Sequence, residues 1–277
     1  MIKISNIKNF NLDETVTCGQ IFRYTKENEW YIIILQDRVI KVSYKDNTLF
    51  ADSNKQDDLE NIIMKYFDLY RNYEEINKYI CNNDKNMEIF AKQCQGLKMI
   101  NSYPFETFIS YIISANNSVP SIKKSVDKIS QRYGEKVEFE GKDYYLFPTP
   151  MQLKNVSIAD YRECSIGFRD KYIYNIVQKI NSDSKYLDNL NSISTDEAFE
   201  ILLSENGIGP KVASCILLFA YQKLDVFPVD TWVKKIMLEN YNISGEKNII
   251  KKAKELYGEY SAIAIQYMFH YSRNKRK

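Results

Sequence analysis

A lysine and an aspartate nineteen residues apart carry the chemistry that this sequence suggests most directly. Lys211 closes the segment ENGIGPK, and Asp230 closes the segment FPVD. Pro210 predicts a helix start, where the helix dipole disfavours an ammonium charge and so favours the neutral, nucleophilic amine of Lys211. A phosphate bound nearby would act in the opposite direction and favour the cation. A carboxylate fixed at the start of another helix can stabilise positive charge that develops beside it. The alternatives are a solvated surface lysine and an aspartate that serves only as an N-cap.

Two helices joined by a tight glycine turn are predicted to position this lysine. Ser194 and Glu197 form the pattern of a capping box at the start of the first helix. Gly207 and Gly209 are expected to supply the positive φ angles and the bare backbone that a sharp turn needs. The helix-hairpin-helix is predicted over residues 195–221, and the free amides at the start of its second helix can receive a phosphate. A purely structural helical hairpin is the alternative.

The whole chain divides into a sheet region and a helical region. Residues 29–51 are rich in β-branched and aromatic residues and contain turn signals, a pattern that predicts an antiparallel meander. Beyond about residue 57, apolar residues recur at helical spacing, so everything after that point is predicted to be helical. The fold class is therefore α+β, an N-terminal antiparallel sheet domain followed by a mainly helical body. We place the N-terminal domain at 1–90 and the helical body, with two subdomains, at 91–277.

Composition places the chain among folded globular proteins. It has 277 residues, of which 44% are hydrophobic and 27% charged, so collagen-like, disordered and disulfide-stapled classes are excluded. No uncharged apolar run reaches the roughly 18 residues that span a bilayer, so no membrane is expected as a partner. The five cysteines are scattered without a CxxC pair, which argues against a thiolate metal site and favours a reducing cytosol. We predict a cytoplasmic location, associated with the nucleoid if the source is prokaryotic.

One histidine and a basic C-terminus limit the remaining possibilities. His270 is the only histidine, which excludes His-rich metal sites and conventional serine triads, so catalysis must use Lys, Asp, Glu, Cys or Tyr. The net charge is only +2, but the last seven residues carry four basic side chains and no acid: Arg273, Lys275, Arg276 and Lys277. Such a tail suits a polyanionic partner, and a solvated tail is the alternative.

Several segments resemble one family of DNA repair enzymes. LLSENGIGPKVASCILL, with the aspartate of PVD, resembles the helix-hairpin-helix, Gly/Pro-rich loop and aspartate signature of a base-excision glycosylase superfamily, and the lysine after GIGP resembles its bifunctional members. Four more segments resemble the 8-oxoguanine DNA glycosylases: CGQIFRY (18–24), PFETFISYIISANNS (104–118), GFRDKYI (167–173) and IQYMF (265–269). The resemblance implies a glycosylase and apurinic-site lyase that excises 8-oxoguanine. The alternatives are a glycosylase of this superfamily for another damaged base and a non-catalytic DNA-binding protein.

The resemblance also implies roles for the residues that would bind the damaged base. The Gly19 carbonyl would accept the N7 hydrogen that distinguishes 8-oxoguanine from guanine, and Gln266 would bond the Watson–Crick edge. Cys215 would pack against one face of the base. The aromatic residue on the other face falls at Phe269 or His270, and the spacing of four residues from Gln266 favours His270.

A second group of residues is implied to contact the DNA around the flipped nucleotide. Asn116 and Asn117 resemble a pair whose first member fills the space that the base leaves, although either is also an ordinary helix C-cap. Phe168 stands where eukaryotic-type members place a tyrosine wedge, and Ser121 stands where they carry an arginine. Arg169 is expected to contact a phosphate or the base opposite the lesion.

The resemblance implies few partners other than DNA. The hairpin backbone at Gly207 and Gly209 would anchor a phosphate and allows a bound monovalent cation, with no other cofactor and no metal site formed by side chains. Members with an iron–sulfur cluster have four cysteines near the C-terminus, whereas the last cysteine here is Cys215, so no cluster is expected. We expect a monomer that acts on double-stranded DNA containing 8-oxoguanine.

Overall fold

The structure, a computed structural model, describes residues 1–274. It confirms the α+β class, because an N-terminal antiparallel sheet precedes a mostly helical body. Three residues of the basic tail, Lys275, Arg276 and Lys277, lie outside the described residues. Within residues 1–274, none of the helices combines the length and the apolarity that crossing a membrane requires.

Five antiparallel strands form the N-terminal sheet: β1 (Ile2–Ile4), β2 (Tyr24–Glu27), β3 (Trp30–Ile34), β4 (Val39–Lys45) and β5 (Thr48–Ser53). Their spatial order is β1-β5-β4-β3-β2. Asp46 and Asn47 both have positive φ and make the two-residue turn between β4 and β5, a turn whose twist matches that of paired strands. Ile33, Val42 and Leu49 pack into the apolar core beneath the sheet. The meander predicted from residues 29–51 is therefore confirmed.

The helices account for most of the chain. They are α1 (Leu12–Thr17), α2 (Leu59–Tyr66), α3 (Tyr73–Asn83), α4 (Asn86–Gln93), α5 (Pro104–Ser114), α6 (Val119–Tyr133), α7 (Pro150–Leu153), α8 (Ile158–Glu163), α9 (Asp170–Ser182), α10 (Tyr186–Ser192), α11 (Thr195–Leu203), α12 (Pro210–Tyr221), α13 (Thr231–Tyr241), α14 (Glu246–Tyr257) and α15 (Ser261–Asn274). Helices α1 and α2 cover the sheet, whereas α3 and α4 bury apolar side chains in the core of the helical body. The domain boundary at residue 90 stays a prediction.

A β-hairpin interrupts the helical region, so the expectation that everything beyond about residue 57 is helical is wrong. Strands β6 (Lys136–Phe139) and β7 (Lys142–Tyr145) pair across a two-residue turn at Glu140 and Gly141. Both turn residues have positive φ, which glycine adopts at little cost and which the hairpin requires. The buried side chains of Phe139 and Leu146 pack against Ile32 and Val39 of the sheet. Tertiary contact with the sheet therefore stabilises this hairpin.

Helix α12 lies at the centre of the helical body, packed between α5 and α11. Nine of its twelve residues are buried, from Val212 to Ala220. The rings of Tyr111 in α5 and Phe219 in α12 stack with their centroids 5.3 Å apart. Because α12 is held on both sides, the side chains at its first turn project from a rigid base.

Candidate active site

The predicted helix-hairpin-helix is formed by α11 and α12. The Ser194 hydroxyl accepts from the backbone N–H of Glu197, whose carboxylate accepts from the Ser194 N–H in return, so the capping box is present. Gly207 has a φ of +87°, and a side chain there would overlap the ring of Tyr172 at 2.3 Å. Gly209 has a φ of −93° and acts as the N-cap of α12, so the expected positive φ at this second glycine is wrong. One left-handed residue is enough to turn the chain.

Lys211 is the second residue of α12, in the first turn as predicted. Its Nζ lies 5.3 Å from the ring centroid of Tyr111, within the range of a cation–π contact. The side chain is half-buried and lines two cavities, an apolar pocket and an open groove. The amine therefore stands where a molecule bound in either cavity can meet it.

Asp230 is both the N-cap of α13 and part of the pocket wall. Its Oδ1 accepts from the backbone N–H of Val233 at 2.9 Å, a standard N-cap bond that fixes the carboxylate. Asp230 lines the same pocket and the same groove as Lys211. The structure thus brings together the two residues proposed for catalysis, although nineteen positions separate them in sequence.

The pocket has an empty volume of about 460 Å³, its open mouth included. Its lining combines one amine, one carboxylate, one amide and an apolar wall: Gly19, Tyr111, Lys211, Cys215, Leu218, Phe219, Pro228, Asp230, Val233, Ile265, Gln266 and Phe269. A concave pocket with apolar walls and a few polar groups is typical of a site for a small molecule or a single base.

Gly19 and Gln266 meet at this pocket although they lie at opposite ends of the chain. The loop after α1 carries Gly19, whose φ is +93°, and α15 carries the buried Gln266. The Gln266 amide donates from Nε2 to the carbonyl of Cys18 at 3.4 Å, which ties the two segments together. A backbone carbonyl and a side-chain amide next to an apolar pocket are the groups expected to read the edge of a base.

Cys215 and Phe269 supply apolar surfaces of the pocket. Burial raises the pKa of the Cys215 thiol, and the neighbouring Lys211 partly opposes that rise. The ring of Phe269 lies beside Gly19, with its Cε1 3.5 Å from the position that a Gly19 Cβ would take. Both residues therefore line the pocket, and their packing against a base stays a prediction.

His270 lies outside the pocket, and the preference for this residue over Phe269 is therefore wrong. Its ring is buried, and its Nε2 contacts the Glu14 carboxylate of α1. The same nitrogen lies 3.0 Å from the amide nitrogen of Asn274. Phe269 and His270 lie three and four positions after Gln266, so both are near it on one side of α15. His270 packs against α1, whereas Phe269 lies beside Gly19.

An open groove with about 1150 Å³ of empty volume runs from the pocket along the hairpin. Its lining joins the hairpin, the end of α5 and the start of α13: Ser114, Ala115, Asn116, Asn117, Gly207, Gly209, Pro210, Lys211, Val212, Val229, Asp230, Thr231, Trp232, Lys234 and Glu246. The first residues of α12 line the groove beside a glycine N-cap that makes no side-chain cap bond, and a helix N-terminus of this kind suits a phosphate. The groove has the shape and donors expected for a nucleic-acid backbone.

The two asparagines at the end of α5 differ in their surroundings. Asn116 has a φ of +50° and an exposed side chain. Asn117 instead bonds locally: its Nδ2 donates to the Ile113 carbonyl at 3.1 Å, and its Oδ1 accepts from the Ser118 N–H at 2.9 Å. Asn116 is thus the member of the pair with an exposed side chain, whereas Asn117 is bonded to the last turn of α5.

Phe168 and Arg169 have opposite environments despite being neighbours. The Phe168 ring is 61% exposed, as a wedge requires. The Arg169 guanidinium is buried, and donates to the carbonyls of Ala115, Asn116 and Ile166. The donors of Arg169 hold the turn at Asn116, and its expected contact with a phosphate or an opposite base stays a prediction.

Six pocket residues escaped the sequence analysis, and two of them are aromatic: Tyr111, Leu218, Phe219, Pro228, Val233 and Ile265. Phe219 lies eight positions after Lys211 and four after Cys215, so helical spacing could have placed it on the same face of α12. Tyr111 lies within a run of apolar residues and carried no signal beyond that of a core residue. Its hydroxyl donates to the carbonyl of Gln20 at 3.2 Å, and burial raises its pKa, which keeps it a donor.

Comparison with known proteins agrees with this geometry. Residues 2–108 match the family described as the N-terminal domain of 8-oxoguanine DNA glycosylase. Residues 109–259 match the HhH-GPD superfamily of base excision DNA repair proteins. The two matches meet within α5, so that together they cover nearly the whole described chain.

Individual relatives are similar over most of their length. The "Probable N-glycosylase/DNA lyase" of Methanothermobacter thermautotrophicus is 31% identical over 232 residues, which are 75% of this chain and 72% of that protein. The N-glycosylase/DNA lyase of Saccharomyces cerevisiae is 31% identical over 266 residues, 91% of this chain and 67% of that protein.

Among solved structures, the 8-oxoguanine glycosylase/lyase of Clostridium acetobutylicum, crystallised with double-stranded DNA containing cytosine opposite 8-oxoguanine, superposes with a TM-score of 0.94. It is 37% identical to this chain, and the match covers 99% of this chain and 96% of that one. The chain therefore belongs to the HhH-GPD superfamily of base-excision DNA repair proteins, and within it to the 8-oxoguanine DNA glycosylases.

Proposed function

We propose that this protein is a bifunctional DNA glycosylase and apurinic-site lyase that removes 8-oxoguanine from double-stranded DNA. The observation that carries the proposal is the shared pocket: Lys211 and Asp230 line one cavity with Gly19 and Gln266. An amine and a fixed carboxylate suit covalent attack on a sugar, and a carbonyl with an amide suits recognition of a base edge. The named relatives act on the same lesion or carry the same paired activity in their names.

The first reaction step releases the base. The damaged nucleotide must leave the stack, because its C1′ is inaccessible inside a duplex. The Nζ of Lys211 attacks C1′ and forms a C–N bond, while the bond from C1′ to N9 breaks and its electron pair leaves with the base, which then takes up a proton. Positive charge builds on the sugar during this step, and the Asp230 carboxylate stabilises it.

The second step cuts the strand. The amine loses its proton as the sugar ring opens, which gives a protonated Schiff base between Lys211 and C1′. Removal of a proton from C2′ then expels the 3′ phosphate with the electron pair of its C–O bond. The strand is nicked on the 3′ side of the lesion, and water later releases the enzyme.

Recognition depends on one hydrogen atom of the base. 8-Oxoguanine has a hydrogen on N7 that the Gly19 carbonyl can accept, whereas guanine presents an acceptor there. Two acceptors that face each other in a buried site cost roughly 1 to 3 kcal/mol. The carbonyl is therefore the group that separates damaged from normal guanine, and Gln266 adds contacts to the Watson–Crick edge.

A bound cation and the oligomeric state belong to the same proposal. Apart from the glycine itself and its chain neighbours, no heavy atom of the described residues lies within 4 Å of the position that a Cβ of Gly209 would take, so a phosphate and an accompanying monovalent cation have room to approach this backbone. Such an ion would add positive charge near a phosphate. We expect one chain to act alone, with the mass of a monomer by size exclusion with light scattering, in the compartment that holds the genome.

A release and nicking assay tests the function. The wild-type protein, mixed with a duplex containing one 8-oxoguanine, should release the free base, measured by chromatography. Without alkali, the labelled strand should be cut at the lesion, measured on a denaturing gel. A matched duplex with guanine at that position is the control and should stay intact. Failure to release 8-oxoguanine, or equal release of guanine, would contradict the proposal.

A further inference from the structure

One buried amide side chain holds the loop that carries Gly19. Gln20 is 2% exposed, and its Nε2 donates to the carbonyl of Lys98 at 2.8 Å and to that of Thr15 at 3.3 Å. Its Oε1 accepts from the backbone N–H of Ile100 at 2.9 Å. Both ends of the amide are therefore bonded to backbone, and they join the loop to the extended segment before α5.

The Gln20 side chain is also linked, through Cys18, to Gln266, the second group proposed to read the base. The Nε2 of Gln20 also lies 3.0 Å from the Cys18 thiol, and the Cys18 carbonyl accepts from Gln266 at 3.4 Å. On the other side of Gly19, the carbonyl of Gln20 accepts from the Tyr111 hydroxyl at 3.2 Å. The two carbonyls that flank Gly19 are thus fixed within the protein, so the direction of the carbonyl between them depends on these bonds.

Such a tether matters because glycine is the residue most able to rotate its peptide planes. Gly19 has a φ of +93°, and without neighbouring restraints its carbonyl could point away from the pocket. Gln20 does not itself line the pocket, so any effect that it has on the base acts through Gly19 and Gln266. Lys211 and Asp230 sit on α12 and α13, and Gln20 makes none of its hydrogen bonds to them.

We propose that Gln20 is a positioning residue for base recognition, which sets the Gly19 carbonyl and, through Cys18, the Gln266 amide. The inference rests on the proposed function and deepens it, because the Gln20 side chain supports the groups that read the lesion and makes no hydrogen bond to Lys211 or Asp230. An abasic duplex has no base to read, so a change at Gln20 should affect excision of 8-oxoguanine and spare the lyase reaction.

The test compares two substrates for the variant Gln20→Met, which keeps the size of the side chain and removes its hydrogen bonds. Under single-turnover conditions, release of 8-oxoguanine should fall about 10- to 100-fold, the scale expected for a lost or misdirected hydrogen bond in a buried site. Nicking of a duplex with a preformed abasic site should stay within about threefold of wild type, since its chemistry needs no base contact. Gln178→Met is the matched control, because Gln178 of α9 also donates to a backbone carbonyl, that of Lys154 at 2.8 Å, and does not line the pocket.

A second variant covers the case in which Gln20→Met fails to fold. Thr15→Val keeps the shape of a buried side chain and removes the hydroxyl that accepts from the Lys98 N–H at 3.1 Å. It should show the same split between the two substrates, with a smaller loss of excision. An equal loss on both substrates, or no loss on either, overturns the inference. Wild-type protein that nicks abasic DNA and leaves 8-oxoguanine in place instead overturns the proposed function.

Discussion

Replacement of Asp230 by asparagine separates the two roles that this side chain combines. As an N-cap, Asp230 accepts from the Val233 N–H at 2.9 Å, and asparagine caps helices about as well as aspartate, so the free energy of unfolding should change by less than about 0.5 kcal/mol. In the pocket, the neutral asparagine cannot stabilise a cationic sugar as the Asp230 carboxylate is proposed to do. Loss of one preorganised electrostatic group costs about 2.7 to 4 kcal/mol, so base release should slow by roughly 100- to 1,000-fold.

The assay is single-turnover release of 8-oxoguanine, with thermal unfolding measured on the same samples. Asp225→Asn is the matched control, since it removes the same charge five residues earlier, from a carboxylate that accepts from the Thr195 hydroxyl at 2.8 Å. The control should react at nearly the wild-type rate. A wild-type rate for Asp230→Asn with unchanged melting temperature would refute the catalytic role and leave Asp230 a helix cap.

Three further results are expected. Selection of the base opposite the lesion should be weak, because Ser121 is too short to reach cytosine and Arg169 is bonded inside the protein. A preference for cytosine above about 100-fold in single-turnover cleavage would contradict this prediction. Gly19→Ala should slow base release, because alanine is strained by roughly 1 to 2 kcal/mol at a φ of +93° and its Cβ would lie only 3.1 Å from Nη1 of Arg273. Unchanged kinetics of base release would argue against the geometry. Burial lowers the pKa of Lys98 from 10.5 to about 8, so between these pH values the unfolded chain binds more protons than the folded one. The free energy of unfolding of the wild type, relative to that of Lys98→Met, should therefore increase as the pH rises from about 8 to 10.5. Urea unfolding at several pH values checks this, and a difference that does not change with pH would contradict it.

The placement of Lys211 and Asp230, the proposed catalytic pair, could be predicted because its signals are local. Pro210 begins α12 and Asp230 caps α13, and each rule depends only on neighbouring residues. The left-handed Gly207 was equally predictable from a turn too sharp for a side chain. The ordinary, negative φ of Gly209 could not be predicted in the same way. Only the ring of Tyr172 in the folded structure shows which of the two glycines lacks room for a Cβ.

The rest of the site depends on contacts between distant segments. Spacing along α15 could not separate Phe269 from His270, because the choice is made by Glu14 of α1. Arg169 next to an exposed Phe168 looked like a surface residue, yet the carbonyls at the end of α5 bury it. Bonds of this kind join residues more than fifty positions apart, and no local pattern records them.

The most direct test of the account is to trap the covalent intermediate. Borohydride added during reaction with an 8-oxoguanine duplex should reduce the Schiff base and yield one protein–DNA adduct, which peptide mapping should place at Lys211. Lys211→Gln should bind the same duplex and give no adduct, with Lys223→Gln as a control on the same segment that traps normally. Undiminished trapping in Lys211→Gln would show that another amine is the nucleophile, and would contradict the role given to this lysine.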